Sequence, residues 1–272
     1  MFFLKRLLEL PAFPLGPVLM LLATVATASN LGMTALLDDV IDGPHRSEEN
    51  RARDQYRHPK ETLLFFGLKP EMTVVEISPG AGWYTEIIAP VLRQKGKFIA
   101  AVPALSLETP DTFKRRDAAY KNMLISDPIL YGSSSSITFD PAKPSVAPPG
   151  SADMVLTFRN VHNWAKAGTS DSMFTAFYEA LKPGGILGVV EHRAKPGTSF
   201  QQQINSGYMT EAYVIATAQR AGFELITTSE INRNPRDTAD YPGGVWTLPP
   251  SLRGVSDKDK PQYLKIGESD RM

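Results

Sequence analysis

The sequence Val74-Val-Glu-Ile-Ser-Pro-Gly-Ala-Gly82 decides the fold, because it connects a buried strand to a helix through a loop with two glycines. Its first part, Thr73–Ile77, is the short β-branched run typical of a strand buried in a parallel sheet. Glycines directly after such a strand let a ligand approach the backbone closely, and the next helix presents free amides. The alternative is that the glycines form only a tight turn. The spacing differs from Gly-x-Gly-x-x-Gly, which disfavours a nicotinamide cofactor.

Further strands and helices alternate on the carboxyl side of this loop. The predicted strands are Thr73–Ile77, Lys97–Val102, Ser136–Phe139, Asp153–Phe158, Gly185–Glu191 and Phe223–Thr227. Alternation of this kind predicts an α/β protein with a mostly parallel sheet and helices on both faces. Ligands of such sheets bind outside the carboxyl ends of the strands, so the loops there should surround one pocket.

Three landmarks in order resemble the class I, Rossmann-like S-adenosylmethionine (SAM) methyltransferases. They are Glu76-x-Ser-x-Gly80-x-Gly82, which is similar to motif I, the Leu-Lys-Pro-Gly-Gly turn within 177–187, and the helix-Ala-Gly-Phe step of 211–223. The resemblance covers about residues 59–231. The phrases at 78–84 and 190–197 are similar to a group of predicted bacterial methyltransferases that often carry export signals. The resemblance implies SAM as the cofactor.

Carried over position by position, the resemblance implies a cofactor site around the first loop. Glu76 would support the loop and the amino-acid end of SAM, while Gly80 and Gly82 would admit the cofactor. Ser78 stands where the family usually has its first glycine, so the loop is expected to differ slightly.

The resemblance places the other cofactor contacts after later strands. Asp140 would accept a hydrogen bond from the adenine amino group, and Asn160 would lie beside the methionine portion. The second predicted strand ends Ala100-Ala-Val-Pro103, without the acid that usually binds the ribose. The two open hypotheses are therefore a SAM-dependent methyltransferase that acts on an unidentified small molecule and a degenerate, non-catalytic protein of the same fold in the cell envelope.

Candidate catalytic residues follow the fourth and fifth predicted strands: His162, Glu191 and His192. His162 is a candidate general base, and the alternative is a histidine that anchors its loop. Strand alternation would point Glu191 and Arg193 the same way, which predicts a structural ion pair between them.

The composition narrows the class of protein. The 272 residues contain 29 basic and 29 acidic side chains, so no overall charge favours nucleic acid as a partner. The chain has no cysteine and four histidines without a His-Glu-x-x-His spacing, which disfavours a zinc site. We therefore expect a small-molecule acceptor and no metal.

The N-terminus predicts export. Lys5 and Arg6 precede an apolar run at 15–26 that leads into Ala26-Thr-Ala28, and these are the three parts of a secretory signal peptide. The alternative is an uncleaved membrane anchor. The expected address is periplasmic or otherwise exported, with no membrane span after cleavage.

Four segments are expected. Residues 1–28 form the signal peptide, 29–58 a helical and charged arm, 59–248 the methyltransferase-like domain, and 249–272 a C-terminal tail. The arm is either solvated or a lid over a charged ligand, with Tyr56, Arg57 and His58 facing the pocket. Little sequence remains for a last strand after 231, so we expect the sheet to be incomplete there.

Overall fold

The computed structural model describes residues 1–7 and 23–272, which build one seven-stranded sheet. The strands are β1 Phe2–Arg6, β2 Thr73–Ile77, β3 Lys97–Pro103, β4 Ser134–Phe139, β5 Ala152–Phe158, β6 Leu181–Val190 and β7 Phe223–Thr228. Their order in the sheet is β4-β3-β2-β5-β6-β1-β7. Strands β2 to β6 pair in parallel, and all six strands predicted from the sequence are present. The predicted α/β class is confirmed.

The N-terminal strand β1 lies inside the sheet. It pairs antiparallel with β6 on one side and with β7 on the other. Phe2 and Leu4 are fully buried, and the Met1 ammonium donates to the Ser229 carbonyl over 2.8 Å. Burial, with a contribution from Arg193, lowers the pKa of this ammonium to about 5. The described residues after β7 form no strand, as expected, but the sheet is not incomplete, because β1 takes that place.

Helices cover both faces of the sheet. They are α1 Ala23–Ile41, α2 Glu48–Arg51, α3 Asp54–Arg57, α4 Pro59–Phe65, α5 Thr85–Leu92, α6 Asp111–Ser126, α7 Pro128–Tyr131, α8 Val161–Ala167, α9 Ser170–Ala180, α10 Phe200–Ser206, α11 Glu211–Arg220 and α12 Lys260–Ile266, with a 3₁₀ turn at Gly244–Thr247. One core contains α8, α9 and α11, and the other contains α1, α4 and α5. Alternate residues of a strand enter opposite cores, as Val75 and Val74 do.

The predicted signal peptide overlaps two described elements. Its first residues form β1, and its cleavage sequence at 26–28 lies in helix α1. Most of its apolar run, residues 15–22, lies outside the described residues. Within the described ranges, no helix has the length and apolar character that a bilayer crossing requires.

The charged arm is packed rather than solvated. Arg46 and Arg57 are each 1% exposed, and their guanidinium groups lie 5.2 and 4.6 Å from the centre of the Trp83 ring. The Arg46 guanidinium also forms a bidentate pair with Asp54, at 2.7 and 2.8 Å. The arm therefore covers the start of α5, where the glycine loop ends.

Candidate functional site

The side chain of Glu76 stabilises the glycine loop after β2. Its carboxylate accepts a hydrogen bond from the Thr85 hydroxyl at 2.6 Å, and that hydroxyl lies 3.1 Å from the Tyr120 hydroxyl of α6. Glu76 is 2% exposed, and burial raises its pKa to about 7 although Thr85 opposes the shift. Glu76 therefore joins β2, α5 and α6 through the hydroxyl groups of Thr85 and Tyr120.

Ser78 shows why the family usually has glycine here. Its φ is +50°, in the left-handed region that glycine adopts freely and other residues adopt at a cost of about 1–2 kcal/mol. Its amide donates to the Ala101 carbonyl of β3 at 2.8 Å, which fixes the start of the loop. The loop thus keeps the glycine conformation without the glycine.

We expect Ser78→Gly to raise the free energy of unfolding by about 0.5–1 kcal/mol, because relief of the φ strain outweighs the extra freedom of glycine in the unfolded chain. Denaturant unfolding followed by circular dichroism measures this change. Ser106→Gly is the matched control, since the Ser106 backbone has no positive φ and the change there should destabilise. Equal effects at the two positions would contradict the strain argument.

Gly80 leaves room for a ligand at the loop. Its φ is +68°, and a Cβ built on it would meet no atom within 4 Å. Gly82 also has a positive φ, +86°, but there an added Cβ would come within 2.7 Å of the Met123 Cε and 3.1 Å of the Tyr120 ring. The loop therefore has an open side at Gly80 and a side closed by α6 at Gly82. The open side fits the close approach of a cofactor.

Asn160 connects the glycine loop to the second half of the site. Its side-chain amide donates to the Ile77 carbonyl at 3.0 Å and to the Thr157 hydroxyl at 3.2 Å. Ile77 directly precedes the loop, and Asn160 directly precedes α8. Asp140 follows β4 and is exposed, with one carboxylate oxygen accepting from the Ala142 amide at 2.9 Å. Both residues lie at the carboxyl edge of the sheet, where the prediction placed them.

The three predicted catalytic residues lie together at the ends of β5 and β6. His162 Nδ1 is 3.0 Å from Glu191 Oε1, and the backbone amides of His162 and His192 donate to the same carboxylate at 3.3 and 2.8 Å. His192 Nδ1 is 2.6 Å from the Ser269 hydroxyl of the C-terminal segment. Neighbouring parallel strands bring His162 and Glu191 together, since β5 and β6 pair along their length.

The predicted Glu191–Arg193 ion pair is wrong. Arg193 instead pairs with three other acids, Glu230 at 2.7 Å, Asp270 at 3.2 Å and Glu211 at 3.3 Å. The reason is the chain end: the backbone of Met272 exchanges two 2.9 Å hydrogen bonds with Glu191, and Asp270 accepts from the Arg193 amide. With these contacts, Arg193 forms its ion pairs with Glu230, Asp270 and Glu211, and the Glu191 carboxylate pairs with His162.

His162 and His192, here called the histidine pair, lie in an electropositive environment. Burial lowers the pKa of His192 well below its ordinary value, and the charges of His162 and Arg159 lower it further. The ligating atoms of His162, Glu191 and His192 lie within 4.8 Å of one another, a spacing that a metal could bridge. The neighbouring arginine charges oppose a dication there, and the protein's own amides already satisfy Glu191. The arrangement is better suited to holding and moving a proton.

Arg57, Arg159, Glu268 and Arg271 also border this region, and the last three were not predicted from the sequence. Arg57 was predicted only as part of a lid, from its place in the charged arm. Its guanidinium lies 4.6 Å from the centre of the Trp83 ring.

Solved structures are similar to this chain in fold although their sequences differ from it. No family model matches the chain, and no curated protein matches it in sequence. A SAM-dependent methyltransferase from Aquifex aeolicus is 17% identical, with a TM-score of 0.51 over 75% of this chain and 93% of the other. The chain has the Rossmann-like methyltransferase fold. Human N-acetylserotonin methyltransferase in complex with SAM is also 17% identical, with a TM-score of 0.45 over 77% of this chain and 55% of the other.

Proposed function

We propose that this protein is a SAM-dependent methyltransferase that acts on a small molecule. One observation carries the proposal: Asn160 bonds the strand end before the glycine loop and begins the helix that contains His162. A ligand-accessible loop and a histidine–carboxylate pair therefore sit on one rigid edge of a methyltransferase fold. The structural likeness to a SAM-dependent methyltransferase that is 17% identical, with a TM-score of 0.51, supports the fold, and the activity rests on this local arrangement.

Five of the six predicted cofactor residues have a task in this proposal. Gly82 has none, because Met123 and Tyr120 of α6 close its side of the loop. Gly80 admits the cofactor, Glu76 and Ser78 fix the loop that holds it, and Asp140 and Asn160 contact its two ends. When bound, SAM supplies an electrophilic methyl group. In-line transfer of such a group depends chiefly on positioning, which these backbone-anchored residues provide.

His162 is the proposed general base. Because Glu191 lies against Nδ1, that nitrogen carries the proton and Nε2 is the free acceptor. Nε2 would take the proton of an acceptor hydroxyl or amine as the methyl group transfers. Glu191 orients the ring and stabilises the imidazolium that forms, and the backbone amides hold Glu191 in place. His192, kept neutral by burial, supports the pair from the side of Ser269.

Binding of S-adenosylhomocysteine (SAH), measured by calorimetry on the purified protein, tests the cofactor assignment. We expect wild type to bind SAH and Gly80→Val to bind at least ~100-fold more weakly, since a side chain there fills the open side of the loop. Gly150→Val is the matched control: it has a φ of +61° and the same open surroundings, so it imposes similar strain away from the site. Absence of SAH binding to wild type would leave the non-catalytic alternative.

A further inference from the structure

Four arginines gather around one carboxylate beside the histidine pair. They are Arg53, Arg57, Arg159 and Arg271, and the carboxylate belongs to Glu268. The Glu268 oxygens lie 2.6 Å from Arg53 Nε, 3.0 Å from Arg57 Nε and 3.1 Å from Arg271 Nη2. We call these five residues the arginine cluster. It joins the charged arm, the end of β5 and the C-terminal segment.

The arginine cluster has an excess of positive charge. Among the described residues, Glu268 is the only acid that forms an ion pair with any of the four arginines. Burial raises the pKa of Glu268, but the arginine charges, Arg271 first, lower it to about 2, so it is ionised. One negative charge therefore faces four positive charges in a region largely closed to water. Such an arrangement is unfavourable unless a further anion completes it.

Arg57 has donors without acceptors. Its side chain is 1% exposed, and both Nη1 and Nη2 lack a hydrogen-bond partner. Buried polar groups in native structures are almost always paired, so this double vacancy needs an explanation. Arg159 is the neighbouring charge that most strongly lowers the pKa of Arg57. Its backbone amide donates to the Val190 carbonyl at 2.7 Å, but its guanidinium forms no hydrogen bond with the described part of the chain. Two guanidinium groups thus present unused donors to the same region.

A cavity of about 370 Å³ opens at the surface beside Glu268, the one residue of the arginine cluster that lines it. Tyr56, His58 and Asn232 line it, and Glu268 and Ser269 form part of its wall. The Ser269 hydroxyl contacts His192. Burial and the charge of His162 are the largest causes that lower the pKa of His192, and the charges of Arg159, Arg271 and Arg57 lower it further. The cluster therefore adjoins the surface cavity through Glu268, and its charges act on His192, whose ring centre lies 5.4 Å from that of the proposed base His162.

We propose that the arginine cluster binds a carboxylate or phosphate group of the methyl acceptor, with Glu268 as an internal carboxylate that competes for the same arginines. This inference rests on the proposed function, because it names the class of acceptor. The planar guanidinium fork matches either anion with two parallel hydrogen bonds. The Trp83 ring, stacked 4.6 Å from the Arg57 guanidinium, holds that fork in place.

Matched probes test the site. Benzoate and its neutral analogue benzamide, and phenyl phosphate, are titrated into wild type by calorimetry at fixed chloride concentration, with and without saturating SAH. We expect benzoate or phenyl phosphate to bind at least tenfold more tightly than benzamide. The benzoate and phenyl phosphate arms distinguish a carboxylate from a phosphate acceptor.

Variants locate the binding. Arg57→Met and Arg159→Met should each weaken binding of the preferred anion at least tenfold, and Glu268→Gln should strengthen it about tenfold by removing the competing carboxylate. Arg159 is half-buried, so its variant should fold even where loss of Arg57 disturbs packing. Arg220→Met is the control, because Arg220 is 54% exposed and pairs with Asp171, which does not belong to the arginine cluster. Circular dichroism verifies that each variant is folded.

Three outcomes would overturn the inference. Two of them apply while wild type still binds SAH: equal binding of benzoate and benzamide, and anion binding that is unchanged in both arginine variants. The third is a loss of SAH binding in Arg57→Met and Arg159→Met with unchanged binding of 5′-methylthioadenosine, which lacks the amino-acid part. That result would assign the arginines to the cofactor carboxylate. Failure of wild type to bind SAH would instead count against the proposed function alone.

Discussion

Replacing Leu4 with alanine should lower the free energy of unfolding by about 2–5 kcal/mol, because Leu4 is fully buried in the core between β1 and the helices. The measurement is denaturant unfolding followed by circular dichroism. Lys5→Ala is the control: Lys5 is on the same strand and exposed, so its change should be small. Unfolding of Leu4→Ala that matches the control would show that β1 is not part of the folded sheet.

The same strand conflicts with removal of a signal peptide. Cleavage after Ala28 would take β1 out of the space between β6 and β7, leaving two strand edges unpaired. The export prediction requires a mature N-terminus at Ser29, whereas the seven-stranded sheet requires residues 2–6. N-terminal sequencing of the protein from separate cell fractions, together with the Leu4→Ala result, distinguishes the two.

Replacing His162 with glutamine should lower kcat by about 10²–10⁴-fold on any acceptor that must lose a proton, because Nε2 is the proposed base. SAH affinity should change by less than about threefold, since the glycine loop is untouched. Glu191→Gln should lower kcat by a smaller factor, because it removes the charge that orients and stabilises the ring. Initial rates and SAH titrations on the same preparations separate the two quantities.

Asn163→Ala is the matched control for His162. Asn163 follows it on α8 and is exposed, so its loss should leave the rate unchanged. A His162→Gln protein with wild-type kcat would show that His162 is not the base and only anchors its loop, which was the alternative raised by the sequence. Loss of activity together with loss of SAH binding would also contradict the assigned role.

The parallel part of the fold was predictable because its signals are local. Each strand from β2 to β7 is a short apolar run bounded by glycine, proline or polar residues, and chain order then limits the topology. Strand β1 was missed for a physical reason. Five residues carry too little pattern to show pairing partners more than 180 residues away, and their basic end also matches a signal peptide.

Some residues of the site were predictable from the sequence and others were not, for the same physical reason. His162, Glu191 and His192 were predictable as strand-end residues, and parallel pairing of β5 with β6 brings them together. The arginine cluster was not predictable, because the burial of Arg57 depends on Glu268, 211 positions later in the chain. A run of charged residues predicts a solvated segment, and the packing of the charged arm against the site depends on tertiary contacts that the run does not show.

A crystal structure of the protein grown with SAH tests the central claim most directly. The account predicts SAH on the Ser78–Gly82 loop, with its adenine near Asp140, its amino-acid part near Asn160, and its sulfur on the side that faces His162. SAH bound away from this loop, or crystals grown in saturating SAH that contain none, would contradict the account.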